Sequence, residues 1–193
     1  NDSAIAIAEN ISGSVEKFVI KMNNYAKKLN LENTNFANPH GLPNRANLST
    51  AYDIFKLSSK IITDFPEHLH RFKKTKSNIK GKVYNTHNTL LKKYDHYIGL
   101  KTGYTRKSGF QISLLSISGD DYLLGIYFGG NSAKERNNKI NFLMNKYRNK
   151  DVSINQETKK FIVKKEKKRI INYTVQTSSF KQISKSKMHI TLL

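Results

Sequence analysis

The chain has 193 residues, with 34 Lys and Arg against 14 Asp and Glu, a formal charge of +20 and no Cys. The missing Cys excludes disulfides, thiolate metal sites and thiol catalysis, and no apolar run reaches the roughly 18–20 residues that span a bilayer. The basic residues are mostly Lys, spread along a chain also rich in Asn and Ile, with one concentration at Lys159–Arg169. Neither an aromatic-interleaved Arg stripe nor a nucleic-acid motif accompanies them, so no nucleic-acid partner is expected. An anionic envelope polymer or membrane surface fits the charge at least as well.

The first residues are Asn1-Asp2-Ser3, with neither an initiator Met nor a basic-then-apolar leader, so the numbering is expected to begin inside a structural element. Ala4, Ile7, Ala8 and Ile11 predict a helix buried on much of its surface, capped by Asn1 or Asp2 and broken at Ser12-Gly13. Val15, Phe18, Val19, Met22, Tyr25, Ala26 and Leu29 follow the i, i+3, i+4 pattern of a second helix, with Ser14 as its cap and Lys27 and Lys28 near its end. From Asn33 to Pro43 the chain is dense in turn formers and too irregular for helix or strand. Ser49-Thr50 then caps a third helix, whose buried side is Ile54, Phe55, Leu57, Ser58, Ile61 and Ile62 and whose end is set by Pro66. The polar, basic segment from Glu67 to Lys82 gives no clear pattern. Its His68-x-His70 lacks a third ligand at metal-site spacing, so no metal is expected.

The stretch Tyr97-Ile98-Gly99-Leu100-Lys101-Thr102-Gly103-Tyr104-Thr105 reads as a strand containing a Lys-Thr-Gly element. An ammonium beside a hydroxyl at a sheet edge forms a receptor for a carboxylate, and glycine lets a substrate backbone come close. The tripeptide by itself reads equally well as an ordinary strand-end turn. Gly109–Ile117 and Tyr122–Phe128 follow as further strands around a turn at Gly119-Asp120-Asp121, completing an antiparallel meander. A helix over Ser132–Tyr147 shows Ile140, Phe142, Leu143 and Tyr147 as its apolar side. Helices, then clustered strands, then a helix predict an α+β fold, an antiparallel sheet flanked by helices. Residues 149–170 read as a basic linker extended by like-charge repulsion. Asn172–Lys181 predicts one more strand, from a second small unit.

Four stretches together carry a resemblance: Asn1–Glu9, Asn33–Leu42 with its Asn38-Pro39-His40-Gly41-Leu42, Ser49–Asp53, and Gly99–Thr105. In this order and spacing they resemble the serine D-alanyl-D-alanine carboxypeptidases, the low-molecular-mass penicillin-binding proteins, over residues 1 to about 147. The resemblance implies a β-lactamase/transpeptidase-like fold and chemistry resting on Ser-x-x-Lys, Ser-x-Asn and Lys-Thr/Ser-Gly. In that chemistry a serine attacks the D-Ala-D-Ala peptide bond and forms an acyl-enzyme that water hydrolyses. Carried over, Lys101, Thr102 and Gly103 match the third element, and the Tyr104 N–H takes the place that helps form the oxyanion hole. Asn1 matches the last residue of the middle element. The serine of that element and the whole Ser-x-x-Lys element are expected before residue 1, making the domain at 1–148 N-terminally incomplete. Four local Ser-x-x-Lys matches (Ser14–Lys17, Ser77–Lys80, Ser178–Lys181 and Ser184–Lys187) are expected from chance in a chain this rich in both residues. This polypeptide alone is therefore expected to form no acyl-enzyme.

The implied partners are peptidoglycan stem peptides ending in D-Ala-D-Ala and, for the intact protein, β-lactams, with no cofactor and a location in the bacterial periplasm or at the outer face of the cytoplasmic membrane. Tyr173–Lys181 is similar to the opening strand of SPOR domains, which bind glycan strands; on that resemblance 171–193 is a truncated SPOR-like segment and the chain a gene fragment. A non-catalytic binding remnant and a β-lactamase-like hydrolase are the competing functions; the Asn38–Leu42 loop favours the carboxypeptidase over the lactamase.

Overall fold

The computed structural model describes residues 1–119 and 121–148, together with the strands at 170–175 and 190–192. The chain divides into two compact units, Asn1–Leu57 and Ser58–Leu193.

In the first unit, α1 (Asp2–Ser12) ends as expected at Gly13, whose φ of 77° is the left-handed conformation glycine adopts without steric cost. Asn1 is its N-cap through the backbone only; no side chain caps it. Helix α2 (Val15–Lys28) begins at Ser14, whose hydroxyl accepts the Lys17 N–H at 3.2 Å. The expected burial of these helices is not observed. Only Ala8 and Ala26 are fully buried in them, while Ile7, Ile11, Ile20 and Tyr25 are about half exposed or more. The spacing is right for an apolar face, but none of the described residues covers it. The turn-rich stretch is irregular yet closely held. Asn35 and Leu48 exchange main-chain hydrogen bonds, and the Asn23 side chain both accepts from and donates to the Phe36 backbone. Asp53, 1% exposed, accepts the Asn33 N–H and the Thr34 hydroxyl, each at 2.8 Å. Buried main-chain groups outside regular structure need such partners, which explains the Asn-rich composition. The third helix, α3 (Ala51–Asp64), contains the unit boundary and ends just before Pro66, with Thr50 capping it by accepting the Asp53 N–H.

The second unit opens with a 3-10 helix, Pro66–Lys73, followed by a hairpin of β1 (Lys76–Ile79) and β2 (Lys82–Asn85). All eight hairpin residues are exposed, so no alternation marks them in the sequence. The signal lies instead in Lys80-Gly81, both at positive φ, the two-residue loop that matches strand twist. A second 3-10 helix, Thr89–Lys92, precedes the expected meander of β3 (Tyr97–Thr105), β4 (Gly109–Ser118) and β5 (Asp121–Gly130). After α4 (Ala133–Arg148), β6 (Ile170–Val175) lies parallel to β5 and pairs with β7 (Ile190–Leu192), giving sheet order β3-β4-β5-β6-β7. Strand β6 covers the start of the strand expected at Asn172–Lys181. The linker up to residue 169 and residues 176–189 lie outside the described residues.

One face of the sheet and α4 enclose the core: Tyr97, Ile112, Leu114, Leu123 and Tyr127 pack with Ile140, Met144, Leu90 and Leu91. On the opposite face, Ser58 of α3 shares a hydrogen bond of 3.0 Å with Ser113 of β4. The apolar side expected for α4 needs correction. Ile140 is buried, but Phe142 is 65% exposed, and the buried stripe is Arg136, Asn137, Ile140 and Met144. Gly125 brings α4 close, since a Cβ there would fall 2.7 Å from Ile140 Cδ1 and 2.8 Å from Met144 Sδ. Gly125→Val is expected to lower stability by about 1–3 kcal/mol through overpacking, read as a shift of the urea midpoint.

Tyr97, 1% exposed, donates its hydroxyl to Asn141 Oδ1 at 2.9 Å. Burial pushes this phenol up from its ordinary 10 to about 12. The folded state therefore keeps a proton that the unfolded chain releases near pH 10. Its contribution is complete below that pH and is lost as pH rises toward 12. Tyr97→Phe is expected to flatten the alkaline loss of stability, checked by urea midpoints at about pH 9 and about pH 11.

Candidate functional site

The Lys-Thr-Gly element sits on β3, whose one strand partner is β4. Between Gly99 and Lys101 the register slips by one residue: Gly99 opposes Leu114, Lys101 opposes Ser113, and Leu100 is the extra residue of a bulge. Side chains directly opposite one another share a face. Tyr97 and Gly99 therefore belong to the face of the core. Without the bulge Lys101, two residues on, would follow them there; with it, Lys101 moves to the opposite face beside Ser113. The bulge is thus the device that brings an ammonium out of a buried strand. Lys101 is exposed, and its Nζ donates to the neighbouring Thr102 carbonyl at 2.5 Å. Among the described residues no carboxylate forms an ion pair with it.

Thr102 opposes Ile112 and is half-buried, so its hydroxyl is held by a strand whose other residues are packed. Gly103 opposes Gln111, and a Cβ there would make only ordinary contact with that side chain. Nothing among the described residues requires glycine at this point, which leaves the close approach of a bound chain as the demand. Tyr104 is 59% exposed and stacks on Phe110, with ring centroids 4.2 Å apart. The structure brings Lys101, Thr102, Gly103 and Tyr104 together on one strand. Asn1 belongs to the first unit, where its carbonyl accepts the Ala4 and Ile5 N–H groups at the start of α1.

A cleft of about 270 Å³ opens beside this strand, lined by Gly99, Leu100, Lys101 and Thr102 with Arg71, Phe72, Lys74, Thr86, His87, Asn88 and Leu91. Its wall is tied to α4 by Arg136, a residue the sequence reading missed. Arg136 is 2% exposed and donates to Asn137 Oδ1 at 2.9 and 3.0 Å. It also reaches the carbonyls of His87 and Gln111, each at 3.4 Å. Burial holds its guanidinium below the usual arginine range. The signal was present in the sequence, since Arg136, Ile140 and Met144 recur every four residues, the spacing of one helix face. The expected pair His68-x-His70 lies on the first 3-10 helix, where His70 Nδ1 is 2.7 Å from the Glu67 carbonyl. Among the described residues no group of three or more His, Cys, Asp or Glu side chains converges.

The family model of peptidase S11, D-alanyl-D-alanine carboxypeptidase, matches residues 1–124. The chain belongs to this family. It is 35% identical over 184 residues to the D-alanyl-D-alanine carboxypeptidase DacF of Bacillus subtilis, covering 90% of this chain and 47% of that protein. To DacD of Salmonella typhimurium it is 37% identical over 145 residues, covering 75% and 37%. Among solved structures, penicillin binding protein 6B from Escherichia coli is similar, with a TM-score of 0.71, 33% identity, and coverage of 77% of this chain and 47% of the other. The chain thus spans about half, or less, of the length of these relatives, and its fold is that of penicillin-binding carboxypeptidases and transpeptidases. Penicillin-Binding Protein D2 from Listeria monocytogenes, also similar (TM-score 0.66, 30% identity, 75% and 60% coverage), was solved in a cefotaxime-bound form.

Within this S11 chain, the two Ser-x-x-Lys matches that fall on described residues have other structural roles. The Ser14 hydroxyl caps α2 by accepting the Lys17 N–H. Ser77 lies exposed on β1, with Lys80 in the left-handed turn conformation that closes the hairpin. The matches at Ser178 and Ser184 lie outside the described residues.

Proposed function

We propose that this chain carries the substrate-anchoring part of a serine D-Ala-D-Ala carboxypeptidase acting on peptidoglycan stem peptides. The observation that carries the reading is the bulge at Leu100, which presents Lys101 on an otherwise packed strand of a chain belonging to the S11 family. Lys101 and Thr102 hold the terminal carboxylate of the peptide, by charge and by a directional hydrogen bond. Gly103 admits its main chain along β3. The Tyr104 N–H contributes to the oxyanion hole, and Asn1 orients the substrate as the last residue of the Ser-x-Asn element.

The chain by itself forms no acyl-enzyme, because the described Ser-x-x-Lys serines are a helix cap and an exposed hairpin residue. In the whole protein the same anchor receives β-lactams, whose carboxylate occupies the position of the peptide terminus. Peptidoglycan as substrate places the protein at the bacterial cell envelope, on the outer side of the cytoplasmic membrane. The domain arrangement of this reading is a peptidase domain at 1–148, a linker at 149–170, and a SPOR-like tail from 171 that contacts glycan strands.

The test is a titration of the isotope-labelled chain with a short peptide ending in D-Ala-D-Ala and with the same peptide as its C-terminal amide. The free acid is expected to shift the amide signals of Lys101–Tyr104 saturably, and the amide to bind about tenfold more weakly or worse, as loss of a charge-assisted contact dictates. Equal binding of acid and amide would remove the carboxylate anchor from the account.

A further inference from the structure

The cleft beside β3 has a chemistry of its own. Arg71, Lys74 and Lys101 line it together with the apolar Phe72, Leu91 and Leu100, and no Asp or Glu contributes to its wall. Arg71 and Lys74 are exposed, and among the described residues their side chains make no hydrogen bond or ion pair. Asn88, 3% exposed, also lines it. Its Oδ1 accepts the Leu90 N–H at 3.2 Å, while its buried Nδ2 has no hydrogen-bond partner. Gly99 is what leaves room for that amide, since a Cβ there would fall 2.4 Å from Nδ2. A buried donor without an acceptor is costly and marks a place where an acceptor is missing.

We infer that this cleft is a second anion subsite, which takes a carboxylate carried on a short aliphatic arm. The charged groups are all cations and the free side-chain amide is a donor, so the ligand must supply negative charge and acceptor atoms. The apolar wall favours a charge at the end of a hydrocarbon stem over a bare, fully hydrated anion such as phosphate. The volume equals roughly nine waters at about 30 Å³ each, enough for an acid on a two- or three-carbon arm and too little for a sugar chain. In the peptide this acid is an acidic side chain upstream of the terminal carboxylate. That identification rests on β3 being the peptide-binding edge. Same-face side chains of a chain laid along it stand about 6.6 Å apart, the span from the Lys101 end to the Gly99 end.

The experiment uses the full isotope-labelled chain with glutarate, its uncharged diamide glutaramide, and inorganic phosphate. Glutarate is expected to shift the Asn88 side-chain amide and the Gly99 main-chain amide saturably, with glutaramide binding about tenfold more weakly or not at all. The double variant R71Q/K74Q, altered only at exposed positions, is expected to lose about tenfold in glutarate affinity while keeping the rest of its amide spectrum. Failure of glutarate to bind, equal binding of glutaramide, unchanged affinity of the variant, or tighter binding of phosphate would each overturn the inference. The peptide reading is monitored separately in the same spectra at Gly103 and Tyr104. Shifts at Asn88 and Gly99 with glutarate, without any at Gly103 with the D-Ala-D-Ala peptide, would retain the subsite and remove the peptide-edge reading.

Discussion

Lys101→Ala is expected to weaken binding of a peptide ending in D-Ala-D-Ala by about tenfold or more, the effect of deleting a charge-assisted hydrogen bond. The same substitution should leave the melting temperature unchanged, because the Lys101 side chain is exposed and its one recorded bond is to the adjacent Thr102 carbonyl. Ionic strength separates charge from shape. Wild-type binding should fall as salt rises, whereas the residual binding of the variant should not, since screening acts on the ammonium–carboxylate attraction. Lys101→Arg should recover only part of the affinity. A planar fork on a longer stem does not reproduce a compact ammonium already turned back on its own strand. Titrations read by amide shifts at Thr102–Tyr104, at low and high salt, check all three expectations.

Arg136→Ala is expected to destabilise the second unit by about 3–5 kcal/mol, the range for truncating a large, fully buried side chain. Two effects oppose each other here. Removing a buried cation relieves a desolvation penalty, seen in the lowering of the Arg136 guanidinium below its usual range by burial. Against that, the truncation opens a cavity and takes the donor from Asn137 Oδ1. It also removes the longer contacts to the His87 and Gln111 carbonyls. The acceptors are buried or half-buried, and leaving them unpaired costs about 1–3 kcal/mol apiece, so loss outweighs relief. Arg136→Met separates the contributions. It refills much of the space without restoring donors and should cost about 1–3 kcal/mol. Urea midpoints give the two magnitudes, and hydrogen exchange at Thr86–Asn88 should rise in both variants, because the tie from α4 to that loop is gone.

Much of this architecture is legible in the sequence, for physical reasons that also explain the failures. The meander was readable because β3, β4 and β5 combine apolar residues with flanking turns, and α3 because Thr50 caps it and Pro66 stops it. The hairpin at 76–85 was not, since none of its residues is buried and its pairing rests on the Lys80-Gly81 turn. In α4, Phe142 was assigned to the buried side on hydrophobicity, whereas the register puts Arg136 and Asn137 there and leaves Phe142 in solvent. Polarity misleads wherever a buried polar side chain is satisfied by main-chain carbonyls that only the tertiary structure supplies. At the site, Lys101-Thr102-Gly103 was found from residue type and company. The bulge that aims Lys101 was not legible, because a bulge depends on pairing with β4 and leaves no composition of its own. Arg71, Lys74 and Asn88 converge on the cleft from 13 to 30 residues upstream of Lys101, a proximity created by the fold alone.

The central claim is that this chain holds the carboxylate anchor of a penicillin-binding carboxypeptidase while none of its own serines acts as the nucleophile. Intact-mass measurement of the 193-residue chain after incubation with excess benzylpenicillin tests it most directly. The account predicts an unchanged mass. A mass increased by one penicilloyl group, mapped by fragmentation to a serine of this chain, would contradict it.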